Sequence, residues 1–225
     1  MNNQGRLILL RHGQTVWSVS GQYTGRTNIP LTAEGEEQAV AAGQRLRGYG
    51  IDPRSCDKSH VFVSPLRRAQ RTAQIAGFSQ VTTLDELAEW DYGGAEGRTR
   101  AQVAEVLGIS TWNVWETGPH ELPESLWGTR SEYFENYGDI EIINGKGESV
   151  EEAAARTRRV IDKALPYIMA GEDVVCVAHA HILRILTTQW LGLDPHCARM
   201  FVLDTAHFSI LSMYRDDKVI AGWNQ

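Results

Sequence analysis

Two short runs, Leu7-Ile8-Leu9-Leu10 and Val174-Val175-Cys176-Val177-Ala178, are apolar at every position and bounded by polar or glycine residues. A strand wet on one face alternates apolar and polar side chains, whereas a strand covered on both faces does not. Both runs are therefore expected in a parallel sheet sandwiched between helices. Each is far shorter than the roughly 20 residues that cross a bilayer. Residues 60–63 and 81–84 are weaker strand candidates.

Helical periodicity fills the intervals. From Thr32, a predicted N-cap, the positions Ala39, Val40, Gly43 and Leu46 make one apolar stripe. Ser64-Pro65 reads as N-cap and first-turn proline of a helix reaching Ala76. Ser149-Val150-Glu151-Glu152 is a capping box ahead of a stripe running through Ala153, Thr157, Val160, Ile161, Ala164, Leu165 and Ile168. Residues 182–191 form a further helix closed by Gly192, and 208–214 and 219–223 read as closing strands.

This alternation predicts an α/β three-layer sandwich, a mostly parallel central sheet with helices on both faces. The 225 residues are read as one domain, 1–225. Within it, 108–147 is rich in Gly, Pro, Trp and acidic residues and has no clear period. It is expected to be a lid or helical insert over the site. Trp90, Trp112, Trp115 and Trp127 should pack that insert onto the body.

Lys and Arg number 22 against 28 Asp and Glu, a net charge of −6, which argues against nucleic acid or a membrane as partner. Cys56, Cys176 and Cys197 are odd in number and contain no Cys-x-x-Cys pair, as expected in a reducing compartment. Residues 1–5 lack the basic start and apolar stretch of a signal peptide. A cytoplasmic location is the expectation.

The first apolar run leads into Arg11-His12-Gly13-Gln14-Thr15 and the other into His179-Ala180-His181. Ligands of open α/β sheets gather outside the carboxyl ends of the strands, so two strands that deliver histidines there point at one place. A third element puts Arg68 in the first turn of a helix. Arg11, Arg68, His12 and His179 would then surround a phosphoryl group, whose oxygens guanidinium forks match. Taken singly, each of these residues is more often structural. A metal site using His179, His181 and His207 or Asp204 competes, but the arginines would repel a cation and no zinc-protease spacing occurs. Neither a nucleotide-binding glycine loop nor a G-x-S-x-G elbow is present.

These residues resemble the histidine phosphatase superfamily, also called the phosphoglycerate mutase-like family. Leu9-Leu10-Arg11-His12-Gly13-Gln14-Thr15-Val16-Trp17 resembles its signature. Ser64-Pro65-Leu66-Arg67-Arg68-Ala69, Glu89-Trp90-Asp91-Tyr92-Gly93-Gly94-Ala95-Glu96-Gly97, Gly147-Glu148-Ser149 and Val177-Ala178-His179 follow in family order. The wording is closest to the sedoheptulose-bisphosphatase-like branch, through Ser20-Gly21-Gln22-Tyr23-Thr24-Gly25, Trp112-Asn113-Val114-Trp115 and the His179/His181 doublet.

The resemblance implies that His12 is a nucleophile forming a phosphohistidine. Arg11 and Arg68 would clamp phosphoryl oxygens, His179 would complete the pocket, and Glu89 would protonate the leaving alkoxide and then activate water. No metal or organic cofactor is implied, and the partner would be a small phosphorylated metabolite such as a sugar phosphate. Gln22, Tyr23, Thr24, Gly25, Ala180 and His181 are candidate substrate-binding residues. Ala180 stands where the family usually has glycine, and a negative φ there would leave the site intact. A metal-independent phosphatase is the preferred reading. A phosphoglycerate mutase is the alternative, since no long insert with an Arg-Arg-Tyr run occurs. A non-catalytic phospho-ligand binder is the remote one.

Overall fold

The computed structural model describes residues 5–225; residues 1–4, most of the stretch read above for a targeting signal, lie outside the described residues. Its central sheet has the order β3-β2-β6-β1-β7-β8. The strands are β1 (Leu7–Arg11), β2 (Val61–Val63), β3 (Thr82–Thr83), β6 (Val174–Ala178), β7 (Phe208–Tyr214) and β8 (Asp217–Gly222). β1, β6, β2 and β3 are parallel, and β7 and β8 complete the sheet antiparallel.

The two apolar runs are its centre, and successive residues point to opposite faces. Leu7, Leu9, Phe62, Val174, Cys176 and Ala178 belong to one core, with α5 (Val150–Met169) and α6 (Ala180–Leu191). Ile8, Leu10, Val61, Val63, Val175 and Val177 belong to the other, with α2 (Ala33–Gly48) and α3 (Arg67–Ala76). The three-layer α/β expectation holds.

The helix starts follow their caps, with one exception. Thr32 Oγ1 accepts the Gly35 N–H at 3.0 Å, and Ser149 and Glu152 form the capping box. The expected Ser64-Pro65 start of α3 is corrected: the helix begins at Arg67 after an uncapped Leu66, because Ser64 Oγ is taken by the Leu66 N–H and by His179. In α2 the stripe is also shifted. Val40 is exposed, and Gly35, Ala39, Ala42, Gly43 and Leu46 face the core. Gly43 sits there because a Cβ would come within 2.2 Å of the Ala76 carbonyl oxygen of α3.

Residues 108–147 contain more regular structure than their missing helical period implied. After α1 (Val16–Ser20) and α4 (Arg100–Leu107), two short 3-10 turns lead into a hairpin of β4 (Gly128–Phe134) and β5 (Gly138–Asn144). Asp139-Ile140-Glu141-Ile142 alternates as a half-buried strand does, and Asn136 takes the left-handed turn position at φ 66°. Phe134, Ile140 and Ile142 cover Trp17 and Ile29 in a small satellite core. Trp90, Trp112 and Trp115 are buried as expected, but Trp127 is 40% exposed. Among the described residues no helix is long and apolar enough to cross a membrane.

Gly43→Ala should destabilise the protein by about 1–3 kcal/mol, because α2 and α3 must separate to admit the methyl group. Val40→Lys should change stability by less than about 0.5 kcal/mol. Urea unfolding monitored by circular dichroism measures both.

Candidate active site

Strand register brings the predicted residues together. Arg11 lies opposite Ala178 in the β1–β6 pair, and Val63 lies opposite Val177 in the β2–β6 pair. The chain leaves all three strands still in step: the His12 N–H donates to Ala178 O at 2.9 Å and the Ser64 N–H to Val177 O at 3.0 Å. Arg11-His12, Ser64 and His179 therefore emerge side by side. The loop after β1 lies directly on α2, where a Cβ on Gly13 would meet Gly35 O at 2.2 Å.

The His12 Nδ1 lies 2.6 Å from Gly13 O. A carbonyl oxygen can only accept, so Nδ1 carries the hydrogen and Nε2 keeps its lone pair. Burial, and then the charges of Arg68 and Arg11, push the His12 pKa well below 6.5, so the ring is neutral at neutral pH. The His179 ring lies 5.0 Å from it, centroid to centroid. Its Nδ1 accepts from Arg68 Nε at 3.1 Å, which leaves Nε2–H to donate to Ser64 Oγ at 2.7 Å. His179 is also held well below 6.5, by burial first and Arg68 second.

Arg68 does not reach the cleft wall. It is fully buried behind His179, and its guanidinium donates to the carbonyl oxygens of Thr24, Gly25 and Thr27. Its charge sits directly behind the His12–His179 pair. Burial lowers its pKa to about 10, which leaves it charged at neutral pH. Buried Glu96 holds the same loop by accepting the N–H groups of Gly25 and Thr27.

The cleft has a volume of about 240 Å³. Arg11, His12, Glu89, Gln22, Tyr23, Thr24, Ala180 and His181 line it. Gly25 lies just behind this lining, its N–H held by Glu96. A Cβ there would lie 2.6 Å from Glu96 and 2.7 Å from Trp90 O, so the glycine permits the loop to close over Arg68. Trp17, Ser18, Gly21 and Tyr92 also line the cleft and were not singled out as site residues in the sequence. Trp17 and Tyr92 stand inside two of the segments that resemble the family signature, which was the available signal.

Arg11 donates from Nη1 to Leu203 O at 2.6 Å, while its buried Nε has no acceptor among the described residues. A buried N–H without an acceptor is costly and suits a bound oxyanion. Glu89 sits at the amino end of α6, where its carboxylate accepts the N–H groups of Trp90, His181 and Ile182. Arg156 of α5 fixes the preceding backbone through the carbonyls of Glu86, Ala88 and Glu89, and its own charge is paired with Glu148 at 2.7 Å. The Gly147-Glu148-Ser149 block thus locks α5 to the Glu89 loop.

Ala180 opens α6 and is not among the residues with positive φ, so its methyl group imposes no backbone strain. The competing metal set does not assemble. Among the described residues no cluster of three or more His, Cys, Asp or Glu could hold a cation, and His207 instead bonds Thr205 O. The cleft thus brings together an uncharged imidazole with a free Nε2 lone pair, a guanidinium with an unpaired N–H and a carboxylate that accepts three main-chain N–H groups.

The family description "Histidine phosphatase superfamily (branch 1)" matches residues 7–225. An acid phosphatase of Mycobacterium tuberculosis is 35% identical over 91% of this chain and 85% of its own. A 2,3-bisphosphoglycerate-dependent phosphoglycerate mutase of Corynebacterium diphtheriae is 33% identical over 81% and 75%. The sedoheptulose 1,7-bisphosphatase of Saccharomyces cerevisiae is 31% identical over 84% and 68%. A solved structure of a Mycobacterium tuberculosis open reading frame product superposes with a TM-score of 0.77 at 33% identity, covering 98% of this chain and 97% of that one.

Two measurements follow from this geometry. His12, His179 and His181 are all held below the ordinary histidine value of 6.5, so below that pH the unfolded chain binds protons that the folded chain refuses. Stability should therefore fall as pH drops from 6.5, and calorimetric Tm values across pH 4–7.5 should decline on the acid side. Ala180→Gly should cost about 0.5–1 kcal/mol through helix propensity. A many-fold rise in its turnover would mean that the methyl group obstructs the site.

Proposed function

Because the chain belongs to the histidine phosphatase superfamily, we propose that it is a metal-independent phosphomonoesterase of small phosphorylated metabolites. The observation that carries this reading is the His12 imidazole. Its Nδ1–H is committed to Gly13 O, which frees Nε2 as a nucleophile in a cleft that also holds Arg11 and Glu89.

In the first step the Nε2 lone pair of His12 attacks phosphorus. The P–O ester bond breaks, and the leaving alkoxide takes a proton from Glu89. In the second step water attacks the phosphohistidine, Glu89 takes its proton, the N–P bond breaks and phosphate leaves. Splitting the displacement in this way is ordinary covalent catalysis. Arg11 neutralises the charge that develops on the phosphoryl oxygens, and Arg68 adds a fixed positive charge through His179.

Gln22, Tyr23, Thr24 and Ala180 contact the remainder of the substrate, with His181 on the leaving-group side beside Glu89. The 108–147 insert supports this pocket from behind Trp17. Its Glu132 accepts from Trp17 Nε1 at 3.2 Å, which ties the hairpin to a residue of the cleft. The small cleft and the net charge of −6 favour a small metabolite over nucleic acid or a membrane surface. Three free cysteines favour the cytoplasm. Mutase-type transfer back to a second substrate hydroxyl is the other reading, favoured by the mutase-named relatives.

Phosphorus NMR in EDTA separates the two. One tube holds 3-phosphoglycerate with a trace of 2,3-bisphosphoglycerate, and another holds sedoheptulose 1,7-bisphosphate. Inorganic phosphate should appear, and His12→Ala should slow its release by about 1,000-fold or more. Appearance of 2-phosphoglycerate without phosphate would make the protein a mutase.

A further inference from the structure

The His181 ring is hydrogen-bonded by a second side chain of the cleft. Tyr92 Oη lies 2.6 Å from His181 Nδ1. The imidazole is enclosed by Trp90, Tyr92 and Trp115, with ring centroids at 5.9, 5.6 and 5.1 Å, and the Arg184 guanidinium covers the Trp115 ring. The ring therefore has little freedom to turn.

The direction of the Tyr92–His181 bond follows from the surroundings. Tyr92 is 2% exposed, and its hydroxyl has no other partner among the described residues. If Nδ1–H donated to it, the tyrosine hydrogen would be buried without an acceptor, at a cost of about 1–3 kcal/mol. With the hydroxyl donating to Nδ1, every polar atom of the pair is satisfied, and the imidazole hydrogen sits on Nε2. Burial keeps both groups uncharged, holding Tyr92 well above 10 and His181 well below 6.5. Nε2 makes no hydrogen bond to any described residue, and His181 is part of the cleft wall. Its own main-chain N–H donates to Glu89 at 3.1 Å, which places the imidazole next to the group that protonates the leaving oxygen.

We infer that Tyr92 is a positioning residue that makes His181 a fixed Nε2–H donor toward the leaving group, so that the protein selects phosphomonoesters carrying an oxygen acceptor next to the ester oxygen. This rests on the phosphomonoesterase reading and on the placement of His181 in the substrate pocket. A polyol phosphate, or a phosphate ester of a hydroxy acid, has such an acceptor; a simple alkyl phosphate does not. A site built to hydrogen-bond a substrate group discriminates against an analogue lacking it, because the site's own donor is then left unpaired.

The test compares glycerol 3-phosphate with n-propyl phosphate, which share a carbon skeleton and differ in hydroxyls. The selectivity ratio, kcat/KM for the first over kcat/KM for the second, should fall about tenfold in Tyr92→Phe, which keeps the ring and removes the hydroxyl. His181→Phe should lower the ratio at least as far, and adding Tyr92→Phe to it should lower the ratio no further, because the tyrosine acts through the histidine. Nitrogen-15 NMR of the ligand-free wild-type protein should show His181 as the Nε2–H tautomer, with that preference lost in Tyr92→Phe. A merely structural tyrosine would lower kcat/KM for both esters together and leave the ratio unchanged, which overturns the inference. An Nδ1–H tautomer in the wild type also overturns it. If neither ester is hydrolysed by the wild type, the phosphomonoesterase reading fails on these substrates, and the tautomer measurement still decides the role of Tyr92.

Discussion

The register between β1 and β6 is the constraint on which the site depends. Arg11 is paired with Ala178, so His12 and His179 leave adjacent parallel strands at the same level. A slip of one residue would exchange the faces of Leu7, Ile8, Leu9 and Leu10 between two different cores. Because all four are fully buried, the packing that stabilises the sheet is the same packing that aligns the histidines. Burying each such side chain contributes about 1.5–3 kcal/mol, which gives the alignment a large energetic backing.

Around this alignment the protein keeps a cationic charge out of water and two imidazoles uncharged. Arg68 is solvated by carbonyl oxygens of the loop 24–27, and Glu96 holds that loop by its amides. The charge and the burial together keep protons off His12 and His179. A comparable arrangement supports Glu89 from the other side, where Arg156 collects the carbonyls of the 86–89 segment and is neutralised by Glu148. A lone buried charge costs far more than a paired or hydrogen-bonded one, so these networks act as rigid units.

The insert contributes through packing more than through charge. Its hairpin seats Phe134 and Ile142 on Trp17, and Asn144 donates to the carbonyls of Gly93, Gly94 and Glu96. Upstream of the hairpin, Trp115 closes one side of the His181 ring. One stretch of chain thereby packs against both Trp17 and the His181 ring of the cleft. Tyr92 and His181 come from segments 89 positions apart.

Sequence by itself determined the layered α/β architecture, because wholly apolar strands of four or five residues have no stable place except between two layers of helices. It also determined that Arg11, His12 and His179 meet, since strand ends in a parallel sheet lie side by side, and that α2 and α5 start at Thr32 and Ser149, since caps act locally. What lay beyond it depended on contacts between distant segments. The Ser64 hydroxyl was a plausible cap until His179 claimed it, and Val40 looked like core until α2 chose its rotation against α3. The direction of the Arg68 guanidinium was set by the carbonyls of Thr24, Gly25 and Thr27. Only tertiary structure decided these points, because a polar side chain takes the partner that burial brings within hydrogen-bond distance, and periodicity along the chain carries no record of that partner.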